Sequence, residues 1–175
     1  AFAVRSHRLA AEAWKRGLFA EEVVPMYVPE RRTVVERDNG IRDDADEGIF
    51  HDVKPVFDRR HGSVTPANAS QITDAAAAML LMEEEKAKSL GLPILGYVKE
   101  YADFGYEPSC MGLAPVGAIA KVLCKSGLTL KDCAVCEINE AFASVVLGIT
   151  RILASPALMQ RHFGRYGLTE RLGEI

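Results

Sequence analysis

An asparagine at the end of a strand-like run is the first residue whose position could support chemistry. Residues 133–138, Cys-Ala-Val-Cys-Glu-Ile, are mostly apolar and β-prone, which is typical of a buried strand. Asn139 follows them and opens the stretch Asn-Glu-Ala-Phe-Ala, and the carboxyl ends of strands are where α/β sheets usually build their sites. Asn is also a favoured helix N-cap, and residues 141–153 are rich in Ala, Val, Leu and Ile. For Asn139 considered alone, the cap is the simpler interpretation.

The cysteines are the other candidates for chemistry. Cys133 and Cys136 have the spacing of a metal-binding or redox pair, but no second pair and no nearby His completes such a site. Their apolar neighbours predict that both are core residues and that the chain holds no metal. Together with Cys110 and Cys124 they predict reduced thiols, and therefore a cytosol-like compartment.

The composition argues against several classes of function. The 175 residues are 49% hydrophobic and 26% charged, which is enough for one domain with a core. A formal net charge of -3 and the lack of interleaved basic and aromatic residues argue against nucleic-acid binding. No apolar stretch is long enough for a membrane span, and no signal-peptide pattern is present. The chain starts inside a helical pattern without Met, so we expect a processed or partial chain.

The predicted elements before residue 62 are short. Residues 1–15 have the pattern of an amphipathic helix, which Gly17 ends in the usual C-terminal position. Residues 23–28 and 33–37 predict two short strands. The acidic run at residues 43–47 predicts a solvated helix start, since its spacing does not fit a calcium loop.

The predicted elements after residue 62 alternate between strands and helices. Residues 94–99 and 133–138 predict strands, and residues 112–125 predict a helix between them. Propensity would make residues 73–90 one helix, yet the run at 75–82 is apolar on every side, as in a strand buried on both faces. Periodicity leaves both possibilities open. The alternation itself predicts an α/β fold with at least partly parallel strand pairing.

Several motifs, in their order along the chain, resemble the thiolase family. Residues 62–74, Gly-Ser-Val-Thr-Pro-Ala-Asn-Ala-Ser-Gln-Ile-Thr-Asp, are similar to the family's G-T-V-T-A-G-N-A-S-G-I-N-D loop. Residues 75–91 are similar to its alanine-rich core strand and the E-E-K-A-K-x-L-G helix behind it. Residues 111–115 resemble M-G-x-G-P, and residues 139–143 match N-E-A-F-A. The resemblance runs from about Val4 to Leu153, which is nearly the whole chain.

The resemblance implies a thiolase-like layered α/β fold that is incomplete in this chain. Thiolases pair two similar five-layered halves, with a loop domain inserted in the first. Residues 1–61 would be part of the inserted loop domain, residues 62–92 the end of the N-terminal half, and residues 93–175 the start of the C-terminal half. The resemblance also favours a strand over a helix at residues 75–82.

The resemblance further implies a reaction and the residues that serve it. Thiolases transfer acyl groups between a cysteine and coenzyme A, in 3-ketoacyl-CoA thiolysis or acetyl-CoA condensation. Coenzyme A would therefore be a substrate, with no covalently bound cofactor. Asn139 matches the family Asn whose amide orients a water toward the thioester oxygen, and it is the implied catalytic residue. The residues implied to contact CoA or its acyl chain are Ser70 at the pantetheine arm, Pro66 and Phe57 along the CoA path, Arg42 near the nucleotide, Met111 in the acyl pocket, and Ala141 and Phe142 beside the channel.

Other parts of the family's catalytic machinery have no match among these residues. No cysteine stands in a C-x-G setting or in that of the family nucleophile, and no histidine stands in a G-H-P setting. We therefore expect this chain alone to be inactive. The intact protein is expected to be a homo-oligomer, dimer or tetramer, that binds CoA thioesters in fatty acid metabolism such as β-oxidation, in the cytoplasm or in an organellar matrix. Two alternatives stay open: a non-catalytic module that binds CoA esters or lipids, and a subunit completed by another chain.

Overall fold

The computed structural model describes residues 1–168, and most of its regular structure is helical. The helices are α1 (Phe2–Lys15), α2 (Glu47–His51), α3 (Glu84–Ser89), α4 (Ala114–Ser126), α5 (Ala143–Leu153) and α6 (Pro156–Phe163). Strands β1 (Met26–Val28) and β2 (Thr33–Val35) pair antiparallel, with Tyr27 opposite Val34. Three 3-10 helices cover Pro108–Leu113, Leu130–Asp132 and Gly164–Tyr166.

The chain divides into two compact units. The first contains residues 1–71 and 140–144, and the second contains residues 72–139 and the described residues from 145 onward. The chain therefore enters the first unit immediately after Asn139 and leaves it again at the start of α5. The division into segments 1–61, 62–92 and 93–175 that the resemblance implies stays a prediction.

Helix α1 packs closely in the first unit because the residues on its inner face are small. Val4 and Ala11, which share one face of the helix, are both buried. From the same helix, Arg8 donates from Nε to the carbonyl oxygen of Ala45 at 3.0 Å, and Ala45 is buried as well. Gly17 has a φ of +69° immediately after the helix, which confirms the predicted helix end.

The acidic run at residues 43–47 leads into α2, as predicted. Asp46 is the N-cap of this helix, and its carboxylate accepts a hydrogen bond from the backbone N–H of Gly48 at 2.8 Å. The two short strands are also present, although each is shorter than the sequence predicted. Strand β1 covers only the last three residues of the predicted 23–28 run, and β2 the first three of 33–37.

The core of the second unit lies where α4, α5 and α6 pack together. Its buried residues are Val116, Ile149, Ile152, Leu153, Met159 and Phe163. Helix α4 covers most of the helix predicted at residues 112–125, with Pro115 in its first turn, and Gly127 follows it with a φ of +71°. The buried Gly117 faces the ring of Phe104, and a Cβ built on this glycine would lie 2.4 Å from Phe104 Cδ1. This close approach is possible only because residue 117 has no side chain.

The three strands predicted after residue 62 are not formed. Their residues lie outside the described helices and strands, and most of their side chains face solvent: Met79 is 82% exposed, Leu95 is 99% exposed and Val135 is 81% exposed. Ile138 is an exception, because it packs against the core of the second unit. The single long helix that propensity favoured is wrong too, since α3 begins only at Glu84. A strand needs a neighbour to satisfy its backbone N–H and C=O groups. Within residues 1–168 the only sheet is the β1–β2 pair, so these segments have no partner strand.

The prediction that Cys133 and Cys136 are core residues is wrong for the same reason. Both lie within the segment 133–138, and all four cysteines are free and exposed. A thiol is buried only where neighbouring elements cover it, and within residues 133–138 only Ile138 packs against the core. In the described part of the chain, no group of three or more His, Cys, Asp or Glu side chains could hold a metal ion.

A membrane-spanning helix is not found among the described residues. The segments Ala143–Leu153 and Pro156–Tyr166 together have sufficient length and apolar composition, but a bend of 108° separates them.

Candidate functional site

Two of the segments singled out by the sequence are hydrogen bonded to each other. These are the Ser70 loop (residues 62–70) and the NEAFA segment (residues 139–143). The backbone N–H of Ser70 donates to the carbonyl oxygen of Ala141 at 2.8 Å, and the N–H of Ala143 donates to the carbonyl of Asn68 at 2.9 Å. Between these two bonds, Ala69 and Phe142 form an antiparallel β-bridge. The structure therefore brings three predicted site residues together: Ser70, Ala141 and Phe142.

The shape of the Ser70 loop depends on Asn68, which the sequence reasoning did not select. Its Oδ1 accepts a hydrogen bond from the N–H of Thr65 at 2.9 Å, and its Nδ2 donates to the carbonyl of Ser63 at 2.8 Å. The hydroxyl of the buried Thr65 accepts from the N–H of Ala67 at 3.2 Å. An Asn that follows Thr-Pro within a polar stretch is a known turn signal, and it could have identified this residue. These bonds leave Pro66 and Ser70 exposed on the outer side of the loop.

Phe57 is held beside the same loop by a backbone contact of its neighbour. The N–H of Val56 donates to the carbonyl of Val64 at 3.0 Å, and this bond connects the two segments. The ring of Phe57 is 80% exposed. An exposed aromatic ring next to an exposed polar loop can pack on an organic ligand, and the CoA contact that the resemblance implies for Phe57 stays a prediction.

Arg42 is hydrogen bonded to α1 through its backbone. Its backbone N–H donates to Nδ1 of His7 at 3.1 Å, and its guanidinium carbon lies 6.0 Å from the centre of the Phe50 ring. The Phe50 ring also meets the His7 ring edge-on, at 5.4 Å between centroids. The Arg42 side chain is exposed, so its charge is available to an anionic group in solution.

The protonation state of His7 is tied to this arrangement. Partial burial, followed by the positive charge of Arg42, lowers the pKa of His7 below its ordinary value of 6.5, and the Glu140 carboxylate acts in the opposite direction. Neutral imidazole is also required at Nδ1, because a protonated nitrogen could not accept the hydrogen bond from Arg42.

Glu140, in the NEAFA segment, is bound to α1. The hydroxyl of Ser6 donates a short hydrogen bond to Oε2 of Glu140. Ser6 directly precedes His7, so two consecutive residues of α1 contact two candidate segments: Glu140 through Ser6, and Arg42 through His7. The sequence reasoning missed Ser6, His7 and Glu140 as contacts, because residues so far apart in sequence give no local signal.

Asn139 is not the N-cap of α5. The helix begins at Ala143, and Asn139 is separated from it by residues 140–142. A cap residue must directly precede the first helical turn for its side chain to reach the open N–H groups. The simpler interpretation of Asn139 is therefore wrong. Its side chain is exposed at the end of the segment 133–138, in the second unit.

Met111 also belongs to the second unit and lies in the 3-10 helix Pro108–Leu113. It is 70% exposed, so its side chain is open to a ligand. Gly112 next to it lies against the start of α5, where a Cβ would come within 2.7 Å of Val145 Cγ2. The glycine thus allows the chain that carries Met111 to run close to α5.

The comparisons with known proteins decide the family. The model of the thiolase N-terminal domain matches residues 1–85, and the model of the thiolase C-terminal domain matches residues 92–164. The chain belongs to the thiolase family. The resemblance inferred from the motifs is thereby confirmed.

Similar thiolases can be named individually. The 3-ketoacyl-CoA thiolase of Yersinia pestis (strain Pestoides F) is 41% identical over 176 residues, covering 100% of this chain and 40% of the relative. The dimeric peroxisomal thiolase of Saccharomyces cerevisiae superposes with a TM-score of 0.81 at 35% identity, over 86% of this chain and 38% of that one. The acetyl-CoA acetyltransferase of Bacillus anthracis gives a TM-score of 0.80 at 41% identity, again over 86% and 38%.

These superpositions confirm the predicted fold class, an incomplete layered α/β thiolase fold. The chain spans about 40% of the length of the curated thiolases it matches. It follows the thiolase backbone over most of its own length, including regions where the described residues form no sheet.

Proposed function

We propose that this chain serves acyl transfer between a cysteine and coenzyme A, in 3-ketoacyl-CoA thiolysis or acetyl-CoA condensation. The observation that carries this proposal is the bridge between the Ser70 loop and the NEAFA segment. It fixes a loop of small and polar residues beside the stretch that begins with Asn139. The names of the similar thiolases support both reactions as candidates.

The proposed roles follow from the chemistry of each side chain. Acyl transfer through a thioester develops negative charge on the carbonyl oxygen, and a neutral donor such as the amide of Asn139 can stabilise that charge, directly or through a water. Ser70 can hydrogen bond the amide-rich pantetheine arm from the loop surface. Arg42 can pair with a phosphate of the nucleotide, since a guanidinium matches phosphate geometry.

The remaining predicted residues would shape the path of the ligand. Pro66 and Phe57 offer exposed apolar surface for the CoA moiety, and Ala141 and Phe142 would flank its channel beside Ser70. Met111 would contact the acyl chain, for which a flexible thioether is well suited. We also propose that the whole protein is a homo-oligomer, as the yeast relative described as dimeric suggests.

We further propose that the 175 residues alone do not turn over 3-ketoacyl-CoA. Covalent acyl transfer needs a thiolate and a base within hydrogen-bond reach of each other. Among the described residues, no cysteine is hydrogen bonded to a histidine. Cys133 contacts the carbonyl of Thr129, and Cys110 contacts the hydroxyl of Ser109. The four histidines contact residues of other types.

A chimera tests the proposed function. The chain replaces the aligned stretch of the Yersinia pestis thiolase, and thiolysis of a 3-ketoacyl-CoA is followed by the loss of substrate absorbance. We expect activity in the chimera and none in the 175-residue chain. Ser70→Ala in the chimera should raise KM with a milder effect on kcat, whereas Ser89→Ala, in the exposed helix α3, should change neither. A chimera that melts like the parent enzyme but shows no thiolysis would contradict the proposal.

A second candidate function rests on the apolar segments that face solvent. Their exposure favours a subunit that another polypeptide completes by adding strands, since apolar side chains such as Leu95 and Val135 gain stability when they are covered. Mixing the chain with the rest of the Yersinia pestis thiolase, expressed separately, tests this candidate. Thiolysis that appears only in the mixture would support it. A non-catalytic CoA-binding module is instead indicated if the chain alone binds CoA and neither mixture nor chimera is active.

A further inference from the structure

Helix α1 is hydrogen bonded to the NEAFA segment through the side chains of Ser6 and Glu140. The hydroxyl of Ser6 donates to Oε2 of Glu140, which directly follows Asn139. Helix α1 is itself well anchored, because Val4 is only 3% exposed and Ala11 only 4%. The donor is thus carried by an element that is fixed in the first unit, whereas its acceptor, Glu140, lies outside the helices and strands.

The backbone bonds of the NEAFA segment hold its second half only. The N–H of Ser70 binds the carbonyl of Ala141, and the carbonyl of Asn68 binds the N–H of Ala143. Neither bond reaches the peptide between Asn139 and Glu140. Among the residues that the structure describes, the hydrogen bond from Ser6 is the one that holds Glu140 by its side chain. This bond therefore holds the segment at Glu140.

We propose that Ser6 is a positioning residue for the NEAFA segment. By holding the side chain of Glu140, Ser6 fixes the first residue that this segment contributes to the first unit. The inference rests on the function proposed above, in which the segment carries Asn139. His7 provides a second contact from the same turn of α1. Its Nδ1 accepts a hydrogen bond from the backbone N–H of Arg42, and the negative charge of Glu140 acts to raise its pKa. One turn of α1 thus contacts both Glu140 of the NEAFA segment and the backbone of Arg42.

The contact between Ser6 and Glu140 can be tested in the 175-residue chain without an activity assay. Amide hydrogen exchange measured by NMR reports the bonds made by the N–H groups of Ser70 and Ala143. Ser6→Ala should speed their exchange by about tenfold, because the segment loses one of its attachments. The N–H of Arg16, bonded to the carbonyl of Glu12 at the far end of α1, should keep its rate.

Conservative variants separate positioning from general support. Ser6→Thr keeps the hydroxyl and Glu140→Gln keeps an acceptor oxygen, so both should exchange like the wild type. Glu140→Ala should behave like Ser6→Ala, and Ser89→Ala is the matched control on an exposed helix. Unchanged exchange at Ser70 and Ala143 in Ser6→Ala overturns the proposal. So does an equal increase at Arg16, which would mean that Ser6 merely supports α1.

The chimera adds the functional readout. There Ser6→Ala should lower kcat about tenfold and leave KM nearly unchanged, and Ser6→Thr should restore kcat. Lower kcat with rescue supports positioning, whereas a normal kcat in Ser6→Ala overturns it. If the wild-type chimera has no activity, the proposed function fails by itself, and the exchange rates still decide whether Ser6 holds the segment.

Discussion

Gly117 is the position where a single methyl group should destabilise the second unit. It is buried in α4, and a Cβ built there would lie 2.4 Å from Cδ1, 2.5 Å from Cγ and 2.7 Å from Cε1 of Phe104. Such distances are far below van der Waals contact, so in Gly117→Ala either the Phe104 ring or α4 must move. The ring is hindered because it meets Tyr166 at 5.0 Å and the fully buried Phe163 at 5.9 Å between centroids.

Two opposing effects set the size of the change. Alanine is more favourable than glycine within a helix by about 1 kcal/mol, because it restricts the unfolded chain. Inserting a methyl group into a packed core costs about 1–3 kcal/mol, and displacing an aromatic pair costs a further ~0.5–1.5 kcal/mol. These contributions sum to a loss of about 0.5–3.5 kcal/mol in the free energy of unfolding. We therefore expect Gly117→Ala to lower it by about 2 kcal/mol, which corresponds to a fall in Tm of about 4–8 °C.

Thermal and urea unfolding of three further variants isolates the cause. In Gly148→Ala the new Cβ would meet only Cδ2 of Leu113, the end of a flexible side chain, at 2.9 Å. We expect this control to stay within about 0.5 kcal/mol of wild type. In a Phe104→Ala background the obstacle is gone, so adding Gly117→Ala should now stabilise by about 1 kcal/mol. If Gly117→Ala raised Tm in the wild-type background, the ring would be free to move and the reasoning would be refuted.

Three other changes probe the core, His7 and Asn139. Phe163→Ala removes a fully buried ring and should cost about 3–5 kcal/mol in urea unfolding, whereas Leu147→Ala, at a 51% exposed position of α5, should cost far less. Because the folded state lowers the pKa of His7, it binds fewer protons there than the unfolded state does, so stability should fall as pH drops through about 6.5 and level off below the folded pKa. In His7→Gln this part of the pH dependence of Tm should vanish, and an unchanged profile would contradict the assignment. Asn139→Ala should change stability by less than about 0.5 kcal/mol, since it caps no helix, yet lower kcat of the chimera about a hundredfold at similar KM. A loss of stability with normal kcat would remove Asn139 from the site.

Helices α1, α2 and α4 were predictable because the signals that limit them are local in the sequence. Gly17 and Gly127 follow α1 and α4 with positive φ, and Asp46, in the predicted acidic helix start, caps α2. Each of these signals acts within one turn of the helix, so the helix limits predicted from the sequence are close to those in the structure. The strands at residues 75–82 and 133–138 carry equally strong local patterns, yet they are not formed.

Helices and strands differ in the partners of their backbone hydrogen bonds. A helix satisfies its backbone N–H and C=O groups within itself, whereas a strand needs a neighbouring strand, which the local sequence does not specify. The same limit applies to the candidate site. Ser70 and Ala141 were selected one at a time from their motifs, but nothing local joins the two segments that meet at the bridge between Ala69 and Phe142.

Ser6 shows the limit most clearly. Its bond to Glu140 spans 134 positions of the sequence, and a serine within an amphipathic helix gives no sign of such a partner. Only its place on the anchored helix, next to His7, makes it a contact of the NEAFA segment. In this family member the candidate site residues can be proposed from the motifs. The residues that hold them in place come from elements far away in the sequence, and only the packing of α1 identifies them.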